Sequence, residues 1–273
     1  MEITIFDVEH GACSLIKFPN GNTMLIDCGH NTSADWRPSS WLTQNGVSLT
    51  NLTITNMDED HVSDLPNIYE FCRPLSLTKN QYITSAWVRS AKEEFGMGDG
   101  IEKACEMIDK YTSPISIDWG GAEVKAFNHS LVDFQDENSL SVVTFIFYKN
   151  MGIIFPGDLT IAGWQEFLKN VEFCDLLKKV NVFVASHHGR NDGYGPDVFK
   201  ICKPEIIIIS DKSIMHDTQD IDYSQHASGI RWGATDTRKV LTTRSDGSIF
   251  IQETITGWHI TANSNVGIKN EVA

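Results

Sequence analysis

Apolar and polar positions alternate through the N-terminal part of the chain. Ile3, Ile5 and Val8 are separated by polar neighbours, Cys13–Phe18 is a second short apolar run, and Thr23–Asp27 is a third. A period of two is that of a strand with one buried face. Pro19-Asn20-Gly21-Asn22, between the second and third runs, is a hairpin signal, because Asn-Gly tolerates positive φ at both central positions. Strands so closely connected predict an antiparallel meander.

The pattern then alternates between helix and strand. Asp35–Asn45 predicts a short helix, and Leu52–Thr55 predicts a buried strand running into Asn56-Met57-Asp58-Glu59-Asp60-His61. Val62–Phe71 has helical spacing, with Leu65, Ile68 and Phe71 on one side. Ile101–Tyr111 reads as an amphipathic helix with Ala104, Cys105, Ile108 and Tyr111 on one stripe. Gly96-Met97-Gly98-Asp99-Gly100 reads as a flexible joint; it lacks the Lys-Ser/Thr ending of a phosphate loop. In the second half, Ala122–Phe127, Ser139–Tyr148, Ile153–Phe155, Val180–Ala185 and Ile206–Ile209 predict strands, and Ile161–Lys169 a helix. Val240–Thr243 and Ser248–Glu253 are expected to pair across Ser245-Asp246-Gly247. With no linker and no usable internal repeat, the pattern predicts a single α/β domain over residues 1–273, with room for an insertion at about 72–120.

Composition narrows the function. The 273 residues are 41% hydrophobic, enough for a full core. Asp and Glu number 36 against 22 Lys and Arg, for a net charge of -14. That balance argues against a broad basic face gripping nucleic acid, though not against a local groove or a metal ion supplying the positive charge. No run approaches the roughly 20 apolar residues of a membrane span, and Met1-Glu2-Ile3-Thr4 has no signal-peptide character. The six cysteines are scattered without a CxxC, as expected of reduced thiols in a cytoplasmic protein.

Chemistry gathers where apolar strands end: at Asp27, at Asn56–His61, at Asp158 and at His187-His188. Such ends place carboxylates and imidazoles on the rim of a sheet. In Asn56-x-Asp58-x-Asp60-His61, alternate positions share a side. Carboxylate oxygen and imidazole nitrogen are ligands for divalent metals. Asp58 or Asp60 fits equally well as the N-cap of the following helix, and Asp158 alone fits an ordinary strand-to-helix turn. His216 and His226 fall in a polar loop and read as solvated; His10, His30, His129 and His259 read as structural.

The blocks have a distinctive order: Phe6-Asp7-Val8-Glu9-His10-Gly11, Leu25-Ile26-Asp27-Cys28-Gly29, Asn56–His61, Glu137-Asn138-Ser139-Leu140, Gly157-Asp158, His187-His188-Gly189 and Thr243–Ile249. The chain thereby resembles the metallo-β-lactamase-fold superfamily, and within it the hydrolase domain of the ComEC-type competence proteins and their free-standing relatives. The resemblance covers about Ile3 to Ile251. It implies an αββα sandwich of two mixed β-sheets with outer helices, and a site for one or two divalent metal ions, Zn or Mn, with metal-activated water as nucleophile.

By position, the resemblance makes Asp60 and His61 ligands of a second metal and Asp58 a ligand of the first. His187 matches the next ligand, with His188 the alternative; Asp158 matches a bridging carboxylate, and Asp27 a structural one beneath the site. Asn138 faces the site. Tyr223–His226 loosely matches a late substrate-contacting segment. Asp58 or Asp60 is a candidate to orient water, and His188 or His226 to protonate the leaving oxygen. Asn56 stands where the pattern has its first histidine and can ligate only through a neutral amide oxygen. The implied function is a metal-dependent hydrolase, a phosphodiesterase or nuclease acting on nucleic acid or a small nucleotide, with substrate delivery by a partner protein compatible with the acidic charge. The alternatives are a lactone, thioester or lactam hydrolase, and a catalytically weakened regulatory subunit, which Asn56 favours.

Overall fold

A computed structural model describes residues 1–94, 96–113, 115–212, 218–255 and 257–263. The strands are β1 (Glu2–Ile5), β2 (Ser14–Lys17), β3 (Thr23–Ile26), β4 (Asn51–Thr53), β5 (Ser76–Thr78), β6 (Glu123–Phe127), β7 (Val143–Tyr148) and β8 (Met151–Phe155). They continue with β9 (Val182–Val184), β10 (Ile206–Ile209), β11 (Ile230–Trp232), β12 (Asp236–Arg238), β13 (Val240–Thr242), β14 (Ser248–Thr254) and β15 (Gly257–Asn263). A 7-stranded sheet has the order β15-β14-β1-β2-β3-β4-β5, and a 6-stranded sheet the order β13-β10-β9-β8-β7-β6. β11 and β12 form a separate hairpin.

Each sheet repeats one plan. In the first, β1, β2 and β3 are antiparallel, as the meander predicts, and β3, β4 and β5 are parallel. In the second, β6, β7 and β8 are antiparallel, and β8, β9, β10 and β13 are parallel. The repeat is one of topology, invisible in the amino-acid sequence.

The helices are α1 (Pro38–Gln44), α2 (Glu59–Val62), α3 (Leu65–Asn67), α4 (Ser85–Ala91), α5 (Asp99–Lys110), α6 (Ile161–Phe167), α7 (Val171–Leu177), α8 (Val198–Ile201), α9 (Asp220–Ser224) and α10 (Thr243–Asp246). Successive strand residues point to opposite faces, so one strand feeds two cores. Ile206 and Ile208 join Ile3, Ile5, Met24 and Ile153 between the sheets. Ile207 and Ile209 instead meet Trp164, Phe173 and Phe199 of α6, α7 and α8 on the outer face. Leu15, Leu25 and Leu52 likewise turn outward against Leu42 of α1 and Val88 and Ile101 of α4 and α5. The layers are therefore helix, sheet, sheet, helix.

Two expectations need correction. Val240–Thr243 and Ser248–Glu253 do not pair. β13 lies parallel to β10 in one sheet, and β14 antiparallel to β1 in the other. Leu241 and Ile249 meet across the core between the sheets instead. The intervening residues form α10, fixed by Asp246, whose carboxylate accepts from the Thr242 N–H at 2.9 Å and from Arg238 at 2.8 Å. The second correction concerns Phe71, which is 61% exposed while Leu65 and Ile68 are buried. Ile68–Cys72 forms a π-helical turn, and its wider winding rotates Phe71 off the apolar stripe.

Residues 72–120 contribute β5, α4 and α5. The glycine-rich joint is the start of α5, where Glu59 accepts the N–H groups of Gly100 and Ile101 at 3.2 and 3.3 Å. Among the described residues no helix is long and apolar enough to cross a membrane, and all six cysteines are free.

The outer core on the second sheet centres on Phe173, which is fully buried and stacked on Phe167 with ring centroids 4.6 Å apart. Phe173→Ala is expected to lower unfolding free energy by about 3–5 kcal/mol. Urea denaturation checks this; a loss under about 1 kcal/mol would mean the cluster does not organise that face.

Candidate metal centre

Parallel strands deliver their carboxyl ends to one edge, which is where loops in such sheets carry function. Asp27 follows β3, Asn56–His61 follow β4, Asp158 follows β8, Ser186–Gly189 follow β9, and Ser210-Asp211 follow β10. The loop after β4 is clasped from two sides. A Cβ on Gly11 would lie 2.4 Å, and one on Gly29 2.2 Å, from the Asp60 carbonyl oxygen, so only glycine allows these approaches.

Each imidazole is aimed by a partner on its other nitrogen. Asp27, itself left-handed at φ 57, accepts from the Thr55 N–H at 2.7 Å and the Thr55 hydroxyl at 2.5 Å. Its Oδ2 also accepts from His61 Nδ1 at 2.9 Å, which turns His61 Nε2 to within 3.0 Å of Asp158 Oδ1. His188 Nδ1 donates to the Ser210 carbonyl at 2.9 Å. Its Nε2 then lies 3.2 Å from Asp60 Oδ2 and 3.6 Å from Asp158 Oδ1. His187 and His188 both sit in the left-handed region, φ 48 and 54, a conformation costing roughly 1–2 kcal/mol per non-glycine residue.

Charge is concentrated here. Burial disfavours ionisation of Asp158, yet His61 and His188 beside it hold its carboxyl below the usual range. Asp60 is likewise held down, against its burial, by His61, His188 and His10. Conversely, burial disfavours protonation of His61 and His188, but Asp158, with Asp27 and Asp60 respectively among the further carboxylates, raises both. His10 moves the other way: burial, reinforced by His188 and Arg190, pushes it down to about 4.

Asp60, His61, Asp158 and His188 are thus brought together. His187 is placed differently from His188: its Nε2 accepts from Arg190 at 2.9 Å, lies 3.7 Å from Asp158 Oδ2, and its Nδ1 is 2.9 Å from Asp192. Asn56 and Asp58 join another group. Asn56 Nδ2 donates to Asn138 Oδ1 at 2.7 Å, and Asp58 is ion-paired with Lys92, which also pairs with Glu137. Asp58 is an N-cap by position only, without a side-chain cap bond. His226 stacks on Phe199 and meets the Tyr194 hydroxyl at 2.7 Å. His216 lies outside the described residues.

Two residues escaped the sequence reading. His10 lies 3.4 Å from Asp60 Oδ2, with its ring 4.6 Å from that of His188. Its position inside the first of the ordered blocks, Phe6–Gly11, is the available signal. Lys92 carried none, since only folding brings α4 beside Asp58.

Among the described residues two groups could hold a metal ion: His61, Asp158 and His188, and His10, Asp60 and His188. His61 Nε2, Asp158 Oδ1 and His188 Nε2 are buried and form no hydrogen bond. Buried polar atoms without partners are costly in an interior. Once the two imidazoles give up their Nε2 protons, the three atoms offer converging lone pairs that suit a cation, and a mixed N and O set suits Zn²⁺ or Mn²⁺. A cavity of about 40 Å³ lined by Asp27, His61, Asp158, His188 and Ser210 lies beside them.

The layered sandwich, with histidines and aspartates at one edge of its parallel strands, defines the metallo-β-lactamase fold, and the chain has that fold. Among solved structures it is similar to the metallo-β-lactamase fold protein YhfI from Bacillus subtilis, at 10% identity and TM-score 0.50, over 90% of this chain and 98% of that one. It is also similar to Igni18, a metallo hydrolase from Ignicoccus hospitalis, at 10% identity and TM-score 0.49, over 93% and 100% of the two chains. Human tRNase Z, short form, matches at 14% identity and TM-score 0.46, over 80% and 95%. No family model and no curated protein matches the chain.

Asp27→Ala removes the partner that aims His61 and is expected to weaken Zn²⁺ binding about 10–100-fold, read by competition with a chromophoric chelator. Unchanged affinity would remove Asp27 from the site. Because His61 and His188 are raised, they hold protons above the ordinary histidine value of about 6.5, and a cation must displace them. Zn²⁺ affinity should therefore be weaker at about pH 6 than at about pH 8; equal affinities would mean that these nitrogens are not ligands.

Proposed function

We propose that the chain is a metal-dependent hydrolase of phosphodiester bonds. The observation that carries this is the convergence of buried, unpartnered His61 Nε2, Asp158 Oδ1 and His188 Nε2 at the carboxyl ends of both sheets. The preference for a phosphodiester comes from the ordered blocks that resemble the ComEC-type hydrolase domain. A divalent cation bound there supplies Lewis acidity, acidifying water to a pKa of roughly 7 and polarising the scissile phosphoryl group.

The remaining chemistry belongs to the chain. Asp27 and the Ser210 carbonyl fix the two imidazoles in the tautomers that present Nε2. Asp60, held ionised, accepts a hydrogen bond from the attacking water and orients it. Arg190, bridging His187 and His10 at 2.9 and 2.6 Å, holds positive charge at the rim, where a phosphoryl oxygen can be stabilised. His10 is neutral at neutral pH and can pass a proton at the same rim.

The substrate is a nucleotide or a short stretch of nucleic acid. A net charge of -14 opposes long-range capture of a long polyanion, so a longer substrate would need delivery by a partner protein. The regulatory alternative draws on Asn56, whose amide nitrogen rather than an imidazole faces its neighbours.

Reloaded with Zn²⁺ or Mn²⁺, the protein is expected to hydrolyse bis-p-nitrophenyl phosphate, with Asp158→Ala and His188→Ala lowering kcat/KM about 100-fold or more while circular dichroism stays unchanged. Equal turnover by the variants would end the proposal. Faster cleavage of a thioester, lactone or lactam would transfer the site to carbonyl chemistry, and no turnover of any of these would favour the regulatory role.

A further inference from the structure

The loop from Asn56 to His61 serves two groups of side chains with opposite chemistry. Toward His61 it faces His61 Nε2, Asp158 Oδ1 and His188 Nε2, buried atoms that converge without a hydrogen bond. Toward Asn56 it faces a group already supplied with donors and with a positive charge. Lys92 follows α4, its side chain is 8% exposed, and it is ion-paired with both Asp58 and Glu137. Asn56 Nδ2 donates to Asn138 Oδ1 at 2.7 Å and to Asp58 Oδ2 at 3.3 Å. Asn56 Oδ1 is turned away and accepts the Met57 N–H at 2.6 Å. Both Asp58 oxygens and the Asn138 oxygen therefore meet N–H donors, and Asn56 presents nitrogen, not oxygen, to the group. Of its carboxylate oxygens only Glu137 Oε1 lacks a hydrogen bond.

A divalent cation needs several oxygen or nitrogen lone pairs facing one point, and an amide NH₂ or an ammonium offers none. An ammonium held by two carboxylates satisfies the same negative charge that a cation would. We propose that Lys92 is a built-in cation that fills the Asn56–Asp58 half of the site, so that the chain holds a single divalent ion, at His61, Asp158 and His188; the neighbouring group of His10 and Asp60 needs the same His188 Nε2 and is no separate second site. The inference rests on the metal-centre reading above and adds the stoichiometry and its cause. It assigns Asp58 to holding Lys92, and Asn56 to completing that group rather than to failed ligation.

The test is metal content of the full chain, stripped with chelator, reloaded with excess Zn²⁺ or Mn²⁺, desalted, and measured by elemental analysis and native mass spectrometry. The wild type should retain one ion per chain. Lys92→Arg should also retain one, because the charge is kept. Asp58→Asn should retain one, with affinity changed by less than about tenfold, since Asp58 is not a ligand. The double variant Asn56→His with Lys92→Met frees Asp58 and supplies an imidazole, and should bind a second ion. Two ions in the wild type would overturn this inference and leave the metal centre standing. No ion would overturn both. A loss of binding in Asp58→Asn of about 100-fold or more would also overturn it, by making that carboxylate a ligand. So would a folded double variant that still binds one.

Discussion

The Asp27 carboxylate is the constraint on which the site depends. It is buried, and each of its oxygens is hydrogen-bonded, as a polar group in a low-dielectric interior requires. Its three donors belong to the loop after β4: the Thr55 amide, the Thr55 hydroxyl and His61 Nδ1. One group thus ties the end of β3 to the end of β4, fixes where the loop leaves the sheet, and decides which nitrogen of His61 looks outward. Asp27 holds a left-handed backbone, φ 57, at the point where these bonds are made. The Asp60 carbonyl, clasped between Gly11 and Gly29, locks the far end of that loop.

The second sheet answers with the same plan. Its antiparallel half ends in β8, and its parallel half sends β8, β9 and β10 toward the edge that β3 and β4 occupy in the first sheet. The shared core of Ile3, Ile5, Ile153, Val182, Ile206 and Ile208 sets the spacing between sheets, and so the distance across which His61 meets Asp158. Strain gathers where the sheets' loops meet. His187 and His188 hold consecutive left-handed conformations that stability alone would not select, and His188 is oriented only because the Ser210 carbonyl receives its Nδ1 proton.

Much of this was legible in the sequence, for a physical reason. Ile206–Ile209 could be read as a strand buried on both faces because every position is apolar, and strand ends are where a carboxylate or imidazole stands out against such a run. The ordered blocks carried the fold class. Side-chain direction was less accessible. His187 and His188 share a left-handed backbone and differ in their partners, Arg190 and Asp192 for one and the Ser210 carbonyl for the other, which adjacency in sequence does not encode. β13 and β14 looked like a hairpin because their alternation is correct for strands; nothing local reveals that their apolar faces meet across the core instead of side by side. His10 is a single imidazole in a loop, and Lys92 comes from a helix with no strand-end signature at all.

The acidic character of the chain has a local counterpart in how the edge is neutralised. Asp27, Asp58, Asp60, Glu137 and Asp158 would repel one another if left alone. The structure divides them. Asp27, Asp60 and Asp158 are set against His61 and His188, groups that can exchange protons for a cation. Asp58 and Glu137 are set against Lys92, which is tethered and cannot leave. A residue such as Asn56 is then not a defect in a ligand set. It is the hydrogen-bond donor that a carboxylate–ammonium group needs beside it, because an imidazole nitrogen aimed at the same point would bring a lone pair where the ammonium already satisfies the carboxylates. Substitution at the first position of the loop and recruitment of Lys92 are two halves of one change in charge balance.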